Sequence, residues 1–224
     1  MTTDDRYYTP PIPNGWFQVA YSDEIGPGDV VPLKYFGTDL VAFRTESGEL
    51  SVLDAFCPHL GAHLGHGGKV KGDNIECPFH AWQFGQDGKC AEVPYAKHMP
   101  RKANLNKWQS KELGGLVMVW HHANGEDPTF EIPDAIPEWG ASLTDRNEEW
   151  SDYTLRRWQI RTRNQEMAEN QVDSAHFHYV HGATNMPESE AEVNGPEMIV
   201  KSKTGMTTPM GPVEGMVHSH SWGF

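Results

Sequence analysis

Two short segments constrain this chain more than anything else in it: Cys57-Pro58-His59 and Cys77-Pro78-Phe79-His80, separated by 17 residues. Each sets a thiol and an imidazole inside a tight, proline-containing turn, and the flanking residues place each turn at the tip of a hairpin. Donors of types S, N, S and N suit two metal centres. A [2Fe–2S] cluster would have both cysteines on one iron and both histidines on the other. Exchanging two thiolates for neutral imidazoles removes negative charge and raises the potential above that of an all-cysteine ferredoxin. A structural zinc site draws on the same inventory. Zinc fingers, however, group cysteine with cysteine and histidine with histidine, whereas each loop here mixes them.

Composition narrows the field further. The 224 residues carry 18 basic and 31 acidic side chains, a formal net charge of −13. That balance disfavours nucleic acid or an anionic membrane as the main partner. At 38% hydrophobic and 11% aromatic the chain can build a real core. No apolar run approaches the ~20 residues of a membrane span. The acidic start Met1-Thr2-Thr3-Asp4-Asp5 is unlike a secretory leader, so the expected location is cytoplasmic. Three cysteines are too few for a disulfide framework, and Cys90 reads as a packed, unreactive thiol. His63 and His66, also in the first loop, read as bystanders because the four-donor set is complete without them.

The first 120 residues read as mostly antiparallel β, with no helix-period segment before about residue 135. Trp16–Tyr21 is a strand, followed by a turn at Gly26-Pro27-Gly28. Leu40–Phe43 and Val52–Phe56 flank a hairpin turn at Glu46–Glu49. Gly85–Gly88 marks another turn, Leu116–Trp120 a compact buried strand, and Asn124–Pro128 a linker or long turn. Beyond it, Trp150–Ile160 has strand character and Thr162 to about Val180 reads as helix, stopped near Gly182. Residues 183–215 read as loop, and Val217–Phe224 alternates like a strand. The expected class is α+β: an all-β domain over 1–125, then part of an α+β domain with an antiparallel sheet over 126–224.

A second constellation lies in that later part. Asp173 and His176 are three apart, close to one helical face. His181 follows His176 by five positions, roughly 140° around an ideal helix at about 100° per residue. The two imidazoles converge only if the helix ends between them, and Gly182 is placed to end it. Two histidines at a helix end are half of a 2-His-1-carboxylate site, which leaves Fe(II) open positions. His178 reads as a bystander, and His218 and His220 as the polar face of the last strand.

Cys-X-His followed by Cys-X-X-His is the Rieske motif. Ala62 and Phe79 stand where respiratory Rieske subunits carry a bracing disulfide, so the chain resembles the oxygenase and ferredoxin branch. With Asp173, His176 and His181 reading as Asp-X-X-His-X-X-X-X-His, it resembles the α subunit of Rieske non-haem iron oxygenases. Asn170 matches the Asn-X-X-Asp opening of several members, a candidate residue behind the ligands. Gly88–Ala96 resembles the group of 3-ketosteroid 9α-hydroxylases and cholesterol 7-desaturases.

The resemblance implies a Rieske [2Fe–2S] domain and a helix-grip-like catalytic domain. It also implies a mononuclear Fe(II) on His176 and His181, electrons from NAD(P)H through a ferredoxin or flavin reductase, and O2 with a bulky hydrophobic, steroid-like substrate. It further implies a homotrimer in which Asp173 hydrogen-bonds His176 and, across an interface, His80. The family's third iron ligand is a carboxylate far downstream, whereas only 43 residues follow His181. The apolar terminus Ser221-Trp222-Gly223-Phe224 points to a truncated chain; Glu188 and Glu190 are the nearby alternatives. An aromatic-ring hydroxylating or demethylating oxygenase, a Rieske electron carrier without its own reaction, and a zinc-stabilised module remain as other readings.

Overall fold

In the computed structural model, residues 11–100, 102–133 and 154–223 are described. The chain forms two compact units, Met1–Tyr153 and Thr154–Phe224.

The first unit is built from short strands around one central strand. β1 (Gly15–Tyr21), β2 (Val30–Tyr35), β3 (Thr38–Arg44) and β4 (Leu50–Asp54) come first among the described residues, with a 3-10 turn at Ser22–Glu24. β5 (Lys69–Lys71), β6 (Asn74–Glu76), β7 (Gln83–Phe84) and β8 (Cys90–Glu92) follow, then β9 (Lys107–Trp108), β10 (Ser110–Leu113) and β11 (Leu116–His121). They pair as three sheets, ordered β1-β11-β10, β2-β3-β4-β9 and β5-β6-β7-β8. In β3 the run Leu40–Phe43 is fully buried, and its alternation feeds two cores. Val41 and Phe43 pack with Leu53, Ile75, Phe84 and both motif cysteines, Cys57 and Cys77. Leu40 and Ala42 pack with Val19, Val52, Val117 and Val119 on the other side. A continuous apolar run therefore marks a strand covered on both faces.

The expected hairpin holds, with Arg44 opposite Leu50 across the turn. The turn at Gly85–Gly88 also forms. There Gly88 has φ +76°, and a Cβ on it would lie 2.2 Å from the Leu105 carbonyl oxygen. Gly88→Ala is therefore expected to cost about 1–3 kcal/mol, read as a lower denaturant midpoint at unchanged slope.

Phe36, at φ 55° between β2 and β3, is held in a stack. Its ring lies 4.5 Å from His121 at 8° and 5.6 Å from Trp108 at 18°. His121 Nδ1 is buried without a hydrogen-bond partner. Burial pushes the His121 pKa below its ordinary 6.5, and His122 adds to the effect. As pH falls through that ordinary value the unfolded chain takes the proton first, so stability drops on the acid side. His121→Phe keeps the stack and removes this contribution. The gap between denaturation midpoints at about pH 5 and about pH 7.5 is expected to narrow.

The second unit holds two short helices, α1 (Asn164–Glu169) and α2 (Ser174–Tyr179). It also holds the antiparallel sheet β12 (Glu188–Asn194), β13 (Glu197–Thr208) and β14 (Gly211–Trp222). Three expectations are corrected here. The helix expected over Thr162–Val180 is broken, because Asp173 turns to extended backbone and caps a new helix with its carboxylate on the Ala175 N–H. The loop expected over 183–215 is mostly strand: β12 pairs fully with β13, which pairs over its whole length with β14. Partner strands outweigh the low strand propensity of its Glu-rich residues. Of the strand expected over Trp150–Ile160, residues 150–153 lie outside the described residues. Residues 154–160 form no strand. Val217–Trp222 is strand, within β14. Among the described residues, no helix is long and apolar enough to cross a membrane.

Candidate metal centres

The two motif loops fold alike. In the first, Cys57 N–H donates to Ala62 O at 2.8 Å and Gly61 N–H to Cys57 O at 2.9 Å. In the second, Cys77 N–H donates to Trp82 O at 2.8 Å and Ala81 N–H to Cys77 O at 3.0 Å. The residue four after each cysteine is left-handed: Gly61 at φ 75° and Ala81 at φ 55°. The second loop caps the β6–β7 hairpin as expected. The first is instead a crossing from β4 to β5, strands of different sheets, closed by a Phe56–His63 bridge. This shared hydrogen-bond pattern escapes sequence inspection, because the loops agree only in Cys-Pro and place histidine at different offsets.

The folding brings like donors together. Cys57 and Cys77 are buried in the same core cluster, and the Cys77 thiol is one of the neighbours that raise the Cys57 pKa. The His59 and His80 rings stand 4.7 Å apart, edge to face. Thiol thus faces thiol and imidazole faces imidazole. Among the described residues no three His, Cys, Asp or Glu side chains converge closely enough to hold one metal ion. That geometry suits two irons better than one zinc.

The donor chemistry agrees. Burial pushes the Cys57 thiol up to about 11 and Cys77 adds to this, while backbone N–H groups of His59 and Leu60 bond its sulfur and pull it down. Buried thiols ionise once a cation is present to pair them. His59 Nδ1 is buried with no hydrogen-bond partner, an unfilled donor position that a metal would complete. The residues present therefore fit a [2Fe–2S] cluster.

Neighbouring side chains take the expected minor places. His63 Nδ1 accepts the Gly65 N–H at 3.0 Å, and its ring meets exposed His66 at 4.4 Å. Cys90 is half-buried against the core, and burial pushes its thiol up. Phe56, Leu60, Phe79 and Tyr95, in or near the loops, are each half exposed or more.

In the second unit α2 ends at Tyr179, and the chain turns through Gly182 at φ 71°. The His176 and His181 rings stand 5.1 Å apart, so the helix end brings the two imidazoles together. His176 Nδ1 lies 2.5 Å from the Asp173 carbonyl oxygen. Donation there leaves Nε2 free to ligate. The expected Asp173–His176 bond is thus made by the main chain. The carboxylate Oδ1 is engaged by the Ala175 N–H, and Oδ2 stands 3.7 Å from His176. Asn170 closes α1, three residues ahead of Asp173. Glu188 and Glu190 lie exposed on β12, and neither completes a three-donor group with His176 and His181. His178 Nδ1 is tied to the Ala183 carbonyl at 2.6 Å, and His220 Nε2 to Glu197 at 2.6 Å. His218 is exposed on β14.

Comparison with known proteins finds two domains in sequence along the chain. Residues 15–109 match the Rieske [2Fe-2S] domain, and residues 119–221 match the 3-ketosteroid 9alpha-hydroxylase C-terminal domain. The chain is 42% identical to cholesterol 7-desaturase of Xenopus laevis over 174 residues, covering 77% of this chain and 37% of that one. It is also 42% identical over 180 residues to the oxygenase component of 3-ketosteroid-9-alpha-monooxygenase of Mycolicibacterium smegmatis, covering 79% and 44%. It spans less than half the length of these relatives. Among solved structures, apo dicamba monooxygenase aligns with a TM-score of 0.66 at 22% identity, covering 93% of this chain and 63% of that one. At that identity the likeness concerns fold alone. Both domain matches, in this order along one polypeptide, place the chain in the Rieske oxygenase family, beside the 3-ketosteroid 9α-hydroxylases and cholesterol 7-desaturases.

Proposed function

We propose that this chain is part of a terminal oxygenase that hydroxylates a bulky hydrophobic, steroid-like substrate. Residues 1–125 form its electron-receiving domain and 126–224 the N-terminal part of its catalytic domain. Cys57 and Cys77 hold one iron of a [2Fe–2S] cluster, His59 and His80 the other, and His176 and His181 hold a mononuclear Fe(II). When bound, the cluster supplies single electrons, originating from NAD(P)H through a ferredoxin or flavin reductase, and the mononuclear iron supplies the site for O2 activation.

The protein's own contribution is orientation. The Asp173 carbonyl fixes the His176 tautomer and presents Nε2. The Asp173 side chain is 54% exposed, and its Oδ2 is available to an imidazole N–H. In a homotrimer in the cytoplasm, that imidazole is the partner subunit's His80. The steroid-like substrate is favoured by the relatives named for steroid chemistry.

The observation that carries the reading is the pairing of buried thiol with thiol and imidazole with imidazole, with His59 Nδ1 left open. Purified, iron-replete protein is expected to show the absorption and reduced-state paramagnetic signal of a histidine-ligated [2Fe–2S] cluster, with inorganic sulfide. Three irons per chain support the oxygenase, and His176→Ala is expected to lower that count to two with an unchanged cluster signal. Two irons in the parent protein indicate an electron carrier. A colourless zinc protein without sulfide overturns both.

A further inference from the structure

The imidazoles that face each other across the loops are supported very differently. His80 meets Phe79 at 3.9 Å and 37°, and Phe79 is 61% exposed. His59 instead lies flat on the Trp82 indole, centroids 4.5 Å apart and planes 6° from parallel. Trp82 is buried, with its ring among the core residues below the loops. Its Nε1–H donates to the Tyr95 hydroxyl at 2.7 Å. Tyr95 belongs to the segment after β8 and is 62% exposed, so this one short bond ties an otherwise solvated ring to the interior.

A buried indole N–H needs an acceptor, and losing it frees the ring to tilt. A tilt of Trp82 would be felt at once by a ring stacked flat upon it. Imidazole orientation matters at a metal because the nitrogen lone pair is directional, and outer contacts fix that direction. The open nitrogen, Nδ1 of His59, belongs to the very ring that Trp82 supports.

We propose that Tyr95 is a positioning residue for the cluster: through Trp82 it fixes the plane of the His59 imidazole. The inference rests on His59 being a cluster ligand, as proposed above. Tyr95 thereby acts on one of the two histidine-bound positions and leaves the other alone.

The test is pulsed paramagnetic resonance of the reduced full chain, comparing the parent with Tyr95→Phe. One of the two histidine nitrogen hyperfine couplings is expected to shift and the other to stay, at unchanged iron and sulfide content. In a Trp82→Phe background the same substitution is expected to add nothing, because the donor is already gone. Unmoved couplings, equal movement of both, or a persisting effect in the Trp82→Phe background overturns the proposal. If Tyr95→Phe loses the cluster, 3-fluorotyrosine at position 95 keeps the hydroxyl as a weaker acceptor and is expected to shift the same coupling by less. A parent protein with no cluster overturns the functional reading itself. A normal parent cluster with unmoved variant couplings overturns only the role of Tyr95.

Discussion

Cys77→Ala is expected to yield a colourless chain with neither sulfide nor the reduced-state signal. Cys77 is 3% exposed and sits in the same core cluster as Cys57, Phe43, Ile75 and Phe84, and its thiol helps raise the Cys57 pKa. Alanine keeps the loop's two backbone bonds, Cys77 N–H to Trp82 and Ala81 N–H to Cys77, so the loss is of the donor. The effect should exceed the roughly 10–100-fold cost of losing a residue behind a ligand, because a ligand itself is gone. Stability should fall with it, since metal binding is coupled to folding free energy. Cys90→Ser is the contrast: that thiol lies half-buried on β8, and its loss should leave iron, sulfide and spectrum unchanged. Retention of the cluster in Cys77→Ala would remove the basis of the assignment, and equal loss in Cys90→Ser would show that the assay reports misfolding.

The cluster loops were legible because the information is local. Donor type, spacing and a proline turn lie within a few residues, and the fold needs only to bring two such turns together. The His176–His181 convergence was legible for a similar reason, since the chain must turn at Gly182. Where the reading failed, the deciding partner was distant or a local signal was undervalued. Glu188–Asn194 is exposed and Glu-rich, and only its pairing with Glu197–Lys203 makes it a strand. Asp173-Ser174 carried an N-cap signal within a stretch read as one continuous helix, and that cap is what divides it. The capping role of Asp173 was missed for the same reason: its carboxylate accepts the Ala175 N–H through one oxygen, while its main-chain carbonyl meets His176. The support beneath His59 was illegible because Trp82 and Tyr95 lie 13 positions apart and carry no pattern of their own.

Arg44→Met is expected to cost about 3–5 kcal/mol, the scale for stranding one member of a buried ion pair. Arg44 and Glu112 are only 12% and 19% exposed, and their bond is bidentate, at 2.7 and 3.0 Å. The same guanidinium donates to the carbonyls of Ile25 at 2.5 Å, Gly48 at 2.9 Å and Ser22 at 3.3 Å. One side chain thus joins β3 of the central sheet to β10 of a second sheet and to the turns at Ser22–Ile25 and Gly48. Its hydrogen bond to Glu112 raises the guanidinium pKa above its ordinary value, so the charge persists at every working pH. Adding Glu112→Leu to Arg44→Met removes the stranded carboxylate and should recover part of the loss. Recovery stays incomplete because the Arg44 bonds to three carbonyls are lost, and of these the Ser22 carbonyl keeps another partner, the Ile25 N–H. Denaturant midpoints of both single variants and the double variant measure this directly. Full recovery in the double variant would mean that the carbonyl bonds contribute nothing, and a cost below about 1 kcal/mol for Arg44→Met would place the pair among ordinary exposed salt bridges.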